Sequence, residues 1–107
     1  MQQVIGRQVD EFHFIGFLPH KAGQRRKQLE KLRDVPGTLV VYESPYRVIK
    51  LLGELQEIFP EREIVLAREL TKKFEEFLRG KPAELRALLE KRAIKGEFVV
   101  LVEAGPS

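Results

Sequence analysis

The chain has 107 residues, of which 43% are hydrophobic and 33% charged, so it suits one packed domain with a solvated surface and leaves no room for two. It has no cysteine and only two histidines, which excludes a disulfide framework and thiolate metal sites and makes a zinc or iron centre a poor fit. The net charge of +3 is weak evidence for nucleic acid by itself. No apolar run reaches membrane-spanning length, and the opening MQQVIGRQVDEF lacks a signal-peptide core, so a cytoplasmic chain is expected.

The elements follow in chain order. Phe12 to Phe17 (FHFIGF) alternates well enough for a short strand, which Leu18-Pro19 ends. KAGQRRKQLEKLRD follows as a basic helix with a narrow apolar stripe at Leu29 and Leu32, stopped by Pro36-Gly37. Thr38 to Tyr42 (TLVVY) is a buried strand by its β-branched run. Ser44 is placed to cap the next helix, with Pro45 at its first position. Val48, Leu51, Leu52, Leu55 and Ile58 then recur at spacings of three and four and give one wide apolar face.

Glu63 to Leu70 is expected to be a third strand, and Phe74 to Leu78 an antiparallel return strand punctuated by Arg79-Gly80. Pro82 starts a last helix, with Leu85, Leu88 and Leu89 on one face, and Lys95-Gly96 precedes a final strand over Phe98 to Val102. The predicted order is β-α-β-α-β-β-α-β. Its strand–helix alternation predicts a single α/β domain over residues 1–107, a mixed, mostly parallel five-stranded sheet flanked by about three helices.

Three constellations could carry chemistry. From His20 to Arg33, Lys21, Arg25, Arg26, Lys27, Lys31 and Arg33 oppose only Glu30 and Asp34, a face that suits a phosphate backbone or simply a solvated helix. Tyr42-Glu43-Ser44-Pro45-Tyr46-Arg47 lies where a strand delivers the chain to a helix N-terminus, a usual place for a ligand. Arg47 there opposes the helix dipole, so it either joins the helix end in holding an anion or pairs with Glu43. Ala67 to Lys73 (ARELTKK), with Glu75 and Glu76, mixes both charges where a buried strand emerges. A Ser-His-Asp set, a GxGxxG turn, a P-loop and metal-ligand spacing are all absent from the sequence.

The ordered set FIGFLP with Lys21 and Arg25-Arg26, TLVVYESPYR, ARELTK, Glu75-Glu76, Arg79-Gly80 and Lys95-Gly96-Glu97 has a further consequence. Between about Phe12 and Val102 it resembles the C-terminal half of the small-subunit ribosomal RNA methyltransferases within the tetrapyrrole methylase family. The resemblance implies a two-domain, typically homodimeric enzyme that uses S-adenosylmethionine (SAM) to methylate the 2′-hydroxyl of a cytidine in small-subunit ribosomal RNA. It also implies that the glycine-rich SAM loops belong to an N-terminal domain, whose Ser-Asp-Ala-Gly-Thr-Pro segment has no counterpart in this sequence. Tyr46 departs from the histidine of the family's ESPHR form.

In such enzymes the cofactor lies between the domains, and the C-terminal half meets it at two strand ends. These match Tyr42-Glu43 and Leu70 here, so backbone contacts carry over better than side-chain roles. The resemblance therefore implies a cofactor wall of Tyr42, Glu43, Ser44, Glu69, Leu70 and Thr71. It implies RNA-phosphate contacts by Lys21, Arg25, Arg26, Arg47, Lys72 and Lys73, with Glu43 or Glu69 as candidates to orient the acceptor hydroxyl and no metal. The chain alone is expected to be inactive and to bind SAM weakly, because half a cleft does not bury a ligand. Two alternatives stand beside this: a non-catalytic RNA-docking or dimerisation module, and a relative that methylates a tetrapyrrole or other small acceptor.

Overall fold

The computed structural model describes residues 11–104, with the side chains of Leu70 and Glu75 outside the description. The elements are β1 (Phe12–Phe17), α1 (Ala22–Leu32), β2 (Thr38–Glu43), α2 (Val48–Ile58), β3 (Ile64–Leu70), β4 (Lys73–Gly80), α3 (Pro82–Leu89) and β5 (Glu97–Val102). They appear in the expected order. The opening decapeptide, read above for a targeting signal, lies outside the described residues.

The strands form one five-stranded sheet in the order β1-β2-β5-β3-β4. Only β1 and β2 are parallel neighbours; β2–β5, β3–β5 and β3–β4 are antiparallel. The expectation of a mostly parallel sheet is therefore corrected. The β3–β4 hairpin reverses the chain, α3 carries it back, and β5 descends into the slot that the α2 crossover left between β2 and β3. Strand–helix alternation fixed the directions of β2 and β3 but not who sits between them.

All three helices cover the same face. Leu39 and Val41 of β2, Phe98, Val100 and Val102 of β5, and Ile64 and Leu66 of β3 form one cluster with Leu29 of α1, the apolar face of α2, and Leu85 and Leu89 of α3. On α2, Val48, Leu51, Leu52, Leu55 and Ile58 are all buried, as their spacing demands. Each removes enough apolar area from water to contribute about 2 kcal/mol. Where the chain enters β2, Gly37 has φ +96 and a Cβ there would lie 2.4 Å from the Glu11 carbonyl oxygen. Only glycine allows that approach.

The other face carries no helix among the described residues. Val40, Val65 and Ala67 floor it, and Phe12, Phe14, Phe17, Phe74 and Phe77 stand along its edges, each more than half exposed. A bulge in β1 builds one of these edges. The register passes from Phe14↔Val40 to Gly16↔Val41, and Gly16 has φ +75. The extra residue shifts the alternation by one, so Phe17, which strict alternation would send to the helix face, joins Phe14 on the open face.

Candidate functional site

Strand directions bring four loops to one end of the sheet. Because β5 runs against both β2 and β3, those two strands point the same way, and β1 is parallel to β2. The segments after β1, β2 and β3 and the segment before β5 therefore share an edge. The YESPYR and ARELTK stretches, separated by some twenty-five positions in sequence, meet there.

On the open face at that end lies a hollow of about 430 Å³, lined by Phe17, Tyr42, Glu69, Phe74, Glu97, Phe98 and Val99. Tyr42 is its aromatic centre. Its ring meets Phe14 edge-on at 5.2 Å between centroids and Phe17 at 5.5 Å. Glu69 pairs in register with both Phe74 and Glu97, and a second bulge, between Arg68↔Glu76 and Glu69↔Phe74, brings Phe74 beside it. Two carboxylates beside several aromatic rings favour an amphiphilic cation.

The β3–β4 turn is tight and strained. Thr71 (φ 48) and Lys72 (φ 64) both occupy left-handed backbone, the geometry of a two-residue hairpin that normally selects Asn or Gly. A β-branched threonine there is unusual, and such strain tends to gather at working sites.

On the helix face of the same end sits a buried ion cluster. Arg25 is 1% exposed and Glu43 is 2% exposed. Arg25 Nε and Nη2 donate to Glu54 at 3.1 and 2.7 Å, and Nη2 lies 3.2 Å from Glu43 Oε2. Glu43 Oε1 accepts from the Ser44 backbone N–H at 2.9 Å and from Arg47 Nε at 3.3 Å. Burial works against the Arg25 charge, but Glu54 and then Glu43 outweigh it and raise its pKa above the ordinary arginine value. One cluster thus ties α1, the end of β2, the following turn and α2 together.

The family model described as tetrapyrrole (corrin/porphyrin) methylases matches residues 3–86. The chain belongs to the tetrapyrrole methylases. Among its relatives, "Ribosomal RNA small subunit methyltransferase I" of Coprothermobacter proteolyticus is 52% identical over 89 residues, covering 83% of this chain and 39% of the relative. The protein of the same name from Micromonospora olivasterospora is 43% identical over 97 residues, 90% of this chain and 31% of the relative. That of Bacillus subtilis is 41% identical over 92 residues, 86% and 32% respectively. The chain spans about a third of the length of these curated relatives.

The site residues expected from the sequence divide by sheet face. Tyr42 and Glu69 line the hollow. Ser44 and Thr71 lie in the loops at the same edge, as does the backbone of Leu70, whose side chain is outside the description. Glu43 departs from its expected role: alternation along β2 turns its side chain to the helix face, where it is held by Arg25, Arg47 and the Ser44 N–H. Arg25 departs too, since its guanidinium is spent on Glu54 and Glu43 and is not presented to solvent. Ser44 is not the helix cap: α2 starts at Val48 with Arg47 in the cap position, and residues 45–47 form a turn. Of the two options for Arg47, the pair with Glu43 is formed.

Lys21, Lys72 and Lys73 are exposed at the same end, and Arg47 is partly so. Arg26 is half exposed but engaged with Glu57 and Glu30. Sequence reasoning missed Phe17, Phe74 and Glu97. The Ile15-Gly16 step in FHFIGF was the available signal for Phe17, because a glycine inside a strand often marks a bulge. Among the described residues there is no cluster of three potential metal ligands, and no helix is long and apolar enough to cross a membrane.

Proposed function

We propose that this chain is the C-terminal α/β part of a SAM-dependent methyltransferase acting on the ribose 2′-hydroxyl of small-subunit ribosomal RNA, and that it supplies one wall of the cofactor cleft. The observation that carries this reading is the hollow at the shared ends of β2 and β3, with Tyr42 and Glu69 in its lining. Its residues fit the cofactor. SAM brings an aromatic base, ribose hydroxyls and a sulfonium cation. Phe17, Tyr42 and Phe74 offer ring faces and edges, and Glu69 and Glu97 offer acceptors and opposite charge.

When bound, SAM supplies the electrophilic methyl group. The chain's own residues orient the reactants. Tyr42, held between Phe14 and Phe17, gives a firm surface. Glu69 is the carboxylate of the expected pair that remains in position to orient an acceptor hydroxyl, since Glu43 serves on the other face. Lys21, Arg47, Lys72 and Lys73 ring the same end and meet RNA phosphates, whereas Arg25 and Glu43 hold the underlying loop in shape. One wall does not bury a ligand, so the isolated chain turns over no substrate and closure comes from the remaining length present in the relatives.

The test compares SAM with S-adenosylhomocysteine, which lacks the sulfonium charge, by calorimetric titration of the chain. Weak binding that prefers SAM, with the preference lost in Glu69→Gln, is the expected result. Tight one-to-one binding, or no effect of Glu69→Gln, contradicts the assigned wall.

A second reading, a dimerisation module, has one specific observation in its favour: the aromatic open face. Five strands spaced about 4.8 Å apart and some 20 Å long give roughly 480 Å², a little over half of the ~800 Å² that one partner contributes to a standard interface. On this second reading, and in place of the first at that surface, the face receives a second copy of the chain. Sedimentation velocity should show a concentration-dependent dimer that Phe14→Lys and Phe77→Lys abolish; a monomer at all concentrations overturns this.

A further inference from the structure

A second concavity lies at the same end of the sheet, on the helix-bearing face. It is about 100 Å³, and Arg68, Arg92, Lys95, Leu89, Ile94 and Phe98 line it. Leu89 and Phe98 are almost wholly buried and form an apolar floor. The three cations come from separate places: Arg68 from the end of β3, and Arg92 and Lys95 from the segment between α3 and β5. Nothing in the function proposed above uses them.

One carboxylate organises the pocket. Glu76, opposite Arg68 in the β3–β4 register, accepts from Arg68 Nε at 3.0 Å and from Arg92 Nη1 and Nη2 at 3.1 and 2.9 Å. Arg68 Nη1 also donates to the Lys95 carbonyl at 3.4 Å. These bonds fix two guanidinium planes without satisfying every donor, and each fork retains N–H groups. The Lys95 side chain is exposed and has no ion pair among the described residues. Two guanidinium groups thus share one carboxylate, and Lys95 adds a third cation to the lining. A purely structural ion pair would balance charge; this arrangement leaves an excess of two positive charges around a preformed hollow.

Guanidinium forks held in place over an apolar floor match the oxygens of a tetrahedral oxyanion. We infer that Arg68, Arg92 and Lys95 form a phosphate-binding pocket, separate from the rim of Lys21, Arg47, Lys72 and Lys73, which takes a backbone phosphate of a polynucleotide. Phe98 lines both this pocket and the open-face hollow, so the phosphate held here is anchored across the sheet from the cofactor wall. The polynucleotide part rests on the RNA reading above; the oxyanion part does not.

The test is an NMR titration of the 107-residue chain, following the Arg68 and Arg92 side-chain Nε–H signals and the amides of residues 92–98. The probes are inorganic phosphate, a short single-stranded oligoribonucleotide, and chloride at matched ionic strength. Saturable shifts with phosphate and with the oligoribonucleotide, weakened about tenfold in Lys95→Gln and in Arg92→Gln, are expected. Lys95→Gln serves as the fold-neutral variant, because Lys95 is exposed and its ammonium has no ion pair among the described residues. A response to inorganic phosphate alone supports the pocket with a free oxyanion as its ligand and overturns the polynucleotide part. A response no greater than that to chloride overturns the pocket. Oligoribonucleotide binding that survives Lys95→Gln but is lost in Lys21→Glu/Lys72→Glu overturns the polynucleotide part while leaving the RNA reading intact. Loss through Lys95→Gln alone, with the Lys21/Lys72 variant unaffected, moves the RNA contact to this pocket.

Discussion

Arg25 Nη2 stands 3.2 Å from Glu43 Oε2, and neither side chain is more than 2% exposed. That contact explains why a residue drawn from a basic, solvent-facing stretch does not meet solvent. Its charge is committed to fixing the loop beneath the candidate cleft. Removing Arg25 leaves Glu43 Oε2 buried with no cation beside it and takes the arginine from Glu54 as well, which costs far more than the intact cluster contributes. Arg25→Ala is therefore expected to lower unfolding stability by about 3 kcal/mol in urea titrations. Arg26→Ala, at an exposed neighbour, is expected to leave the urea midpoint nearly unchanged. Equal midpoints for both variants would contradict the structural role of Arg25.

The bulge at Gly16 is expected to be intolerant of side chains for a purely backbone reason. A Cβ at this position meets nothing within 4 Å, yet φ is +75. Gly16→Val should destabilise by about 1–3 kcal/mol and disturb the Phe17–Tyr42 contact. A thermal midpoint equal to that of the parent chain would show that the strand runs without the bulge.

The opposite sign is expected one hairpin away. Lys72 holds φ 64 in a position that suits glycine. Lys72→Gly should raise stability by about 1 kcal/mol, measured by urea denaturation, because the strain exceeds the added unfolded-state entropy. The same variant should weaken oligoribonucleotide binding and flatten its salt dependence by about 0.7 in log–log slope for one lost phosphate contact. A stabilised chain with an unchanged slope would remove Lys72 from the RNA rim and leave the turn argument standing.

Glu76 gives a pH dependence with a defined sign. Arg92 above all holds its carboxyl below the ordinary glutamate range; burial pushes the other way, and Arg68 adds to the lowering. A depressed folded-state pKa stabilises the fold above the unfolded value and loses that contribution as pH falls through the folded one. The stability advantage of the parent chain over Glu76→Gln should therefore be full at neutral pH. It should shrink as pH is lowered from about 4.5 toward and below the folded value. An advantage that grew on acidification would contradict the pairing.

Much of this architecture was legible in the sequence because local patterns dictate it. The spacing of Val48, Leu51, Leu52, Leu55 and Ile58 admits only one buried helix face, and Pro82 marks the start of α3; the structure adds that the Lys81 N–H donates to Glu84 there at 2.8 Å. Strand neighbours were not legible. The insertion of β5 between β2 and β3 is decided by long-range packing, and nothing local in FVVLV distinguishes a parallel from an antiparallel place.

For the site, the family resemblance implies two strand ends, at Tyr42 and Leu70, and the strand directions bring both to one edge. The roles of adjacent side chains were not legible. Period-two alternation separates Tyr42 from Glu43 by the full thickness of the sheet, so a motif read as one contiguous stretch divides between the open-face hollow and a buried support. Charge counting failed at Arg25 for a related reason. Composition shows how many cations a helix carries, while the positions of Glu43 and Glu54 decide which one is withdrawn from solvent.

The central claim is that the β2 and β3 ends form a ligand wall on the open face. Amide chemical-shift mapping of the chain with millimolar SAM tests it most directly. The account predicts perturbations concentrated at Phe17, Tyr42, Glu69, Phe74 and residues 97–99, with the helix-face residues Arg25 and Glu54 silent. Perturbations clustered on α1 and α2, or at the opposite end of the sheet around Gly37 and Glu63, would contradict it.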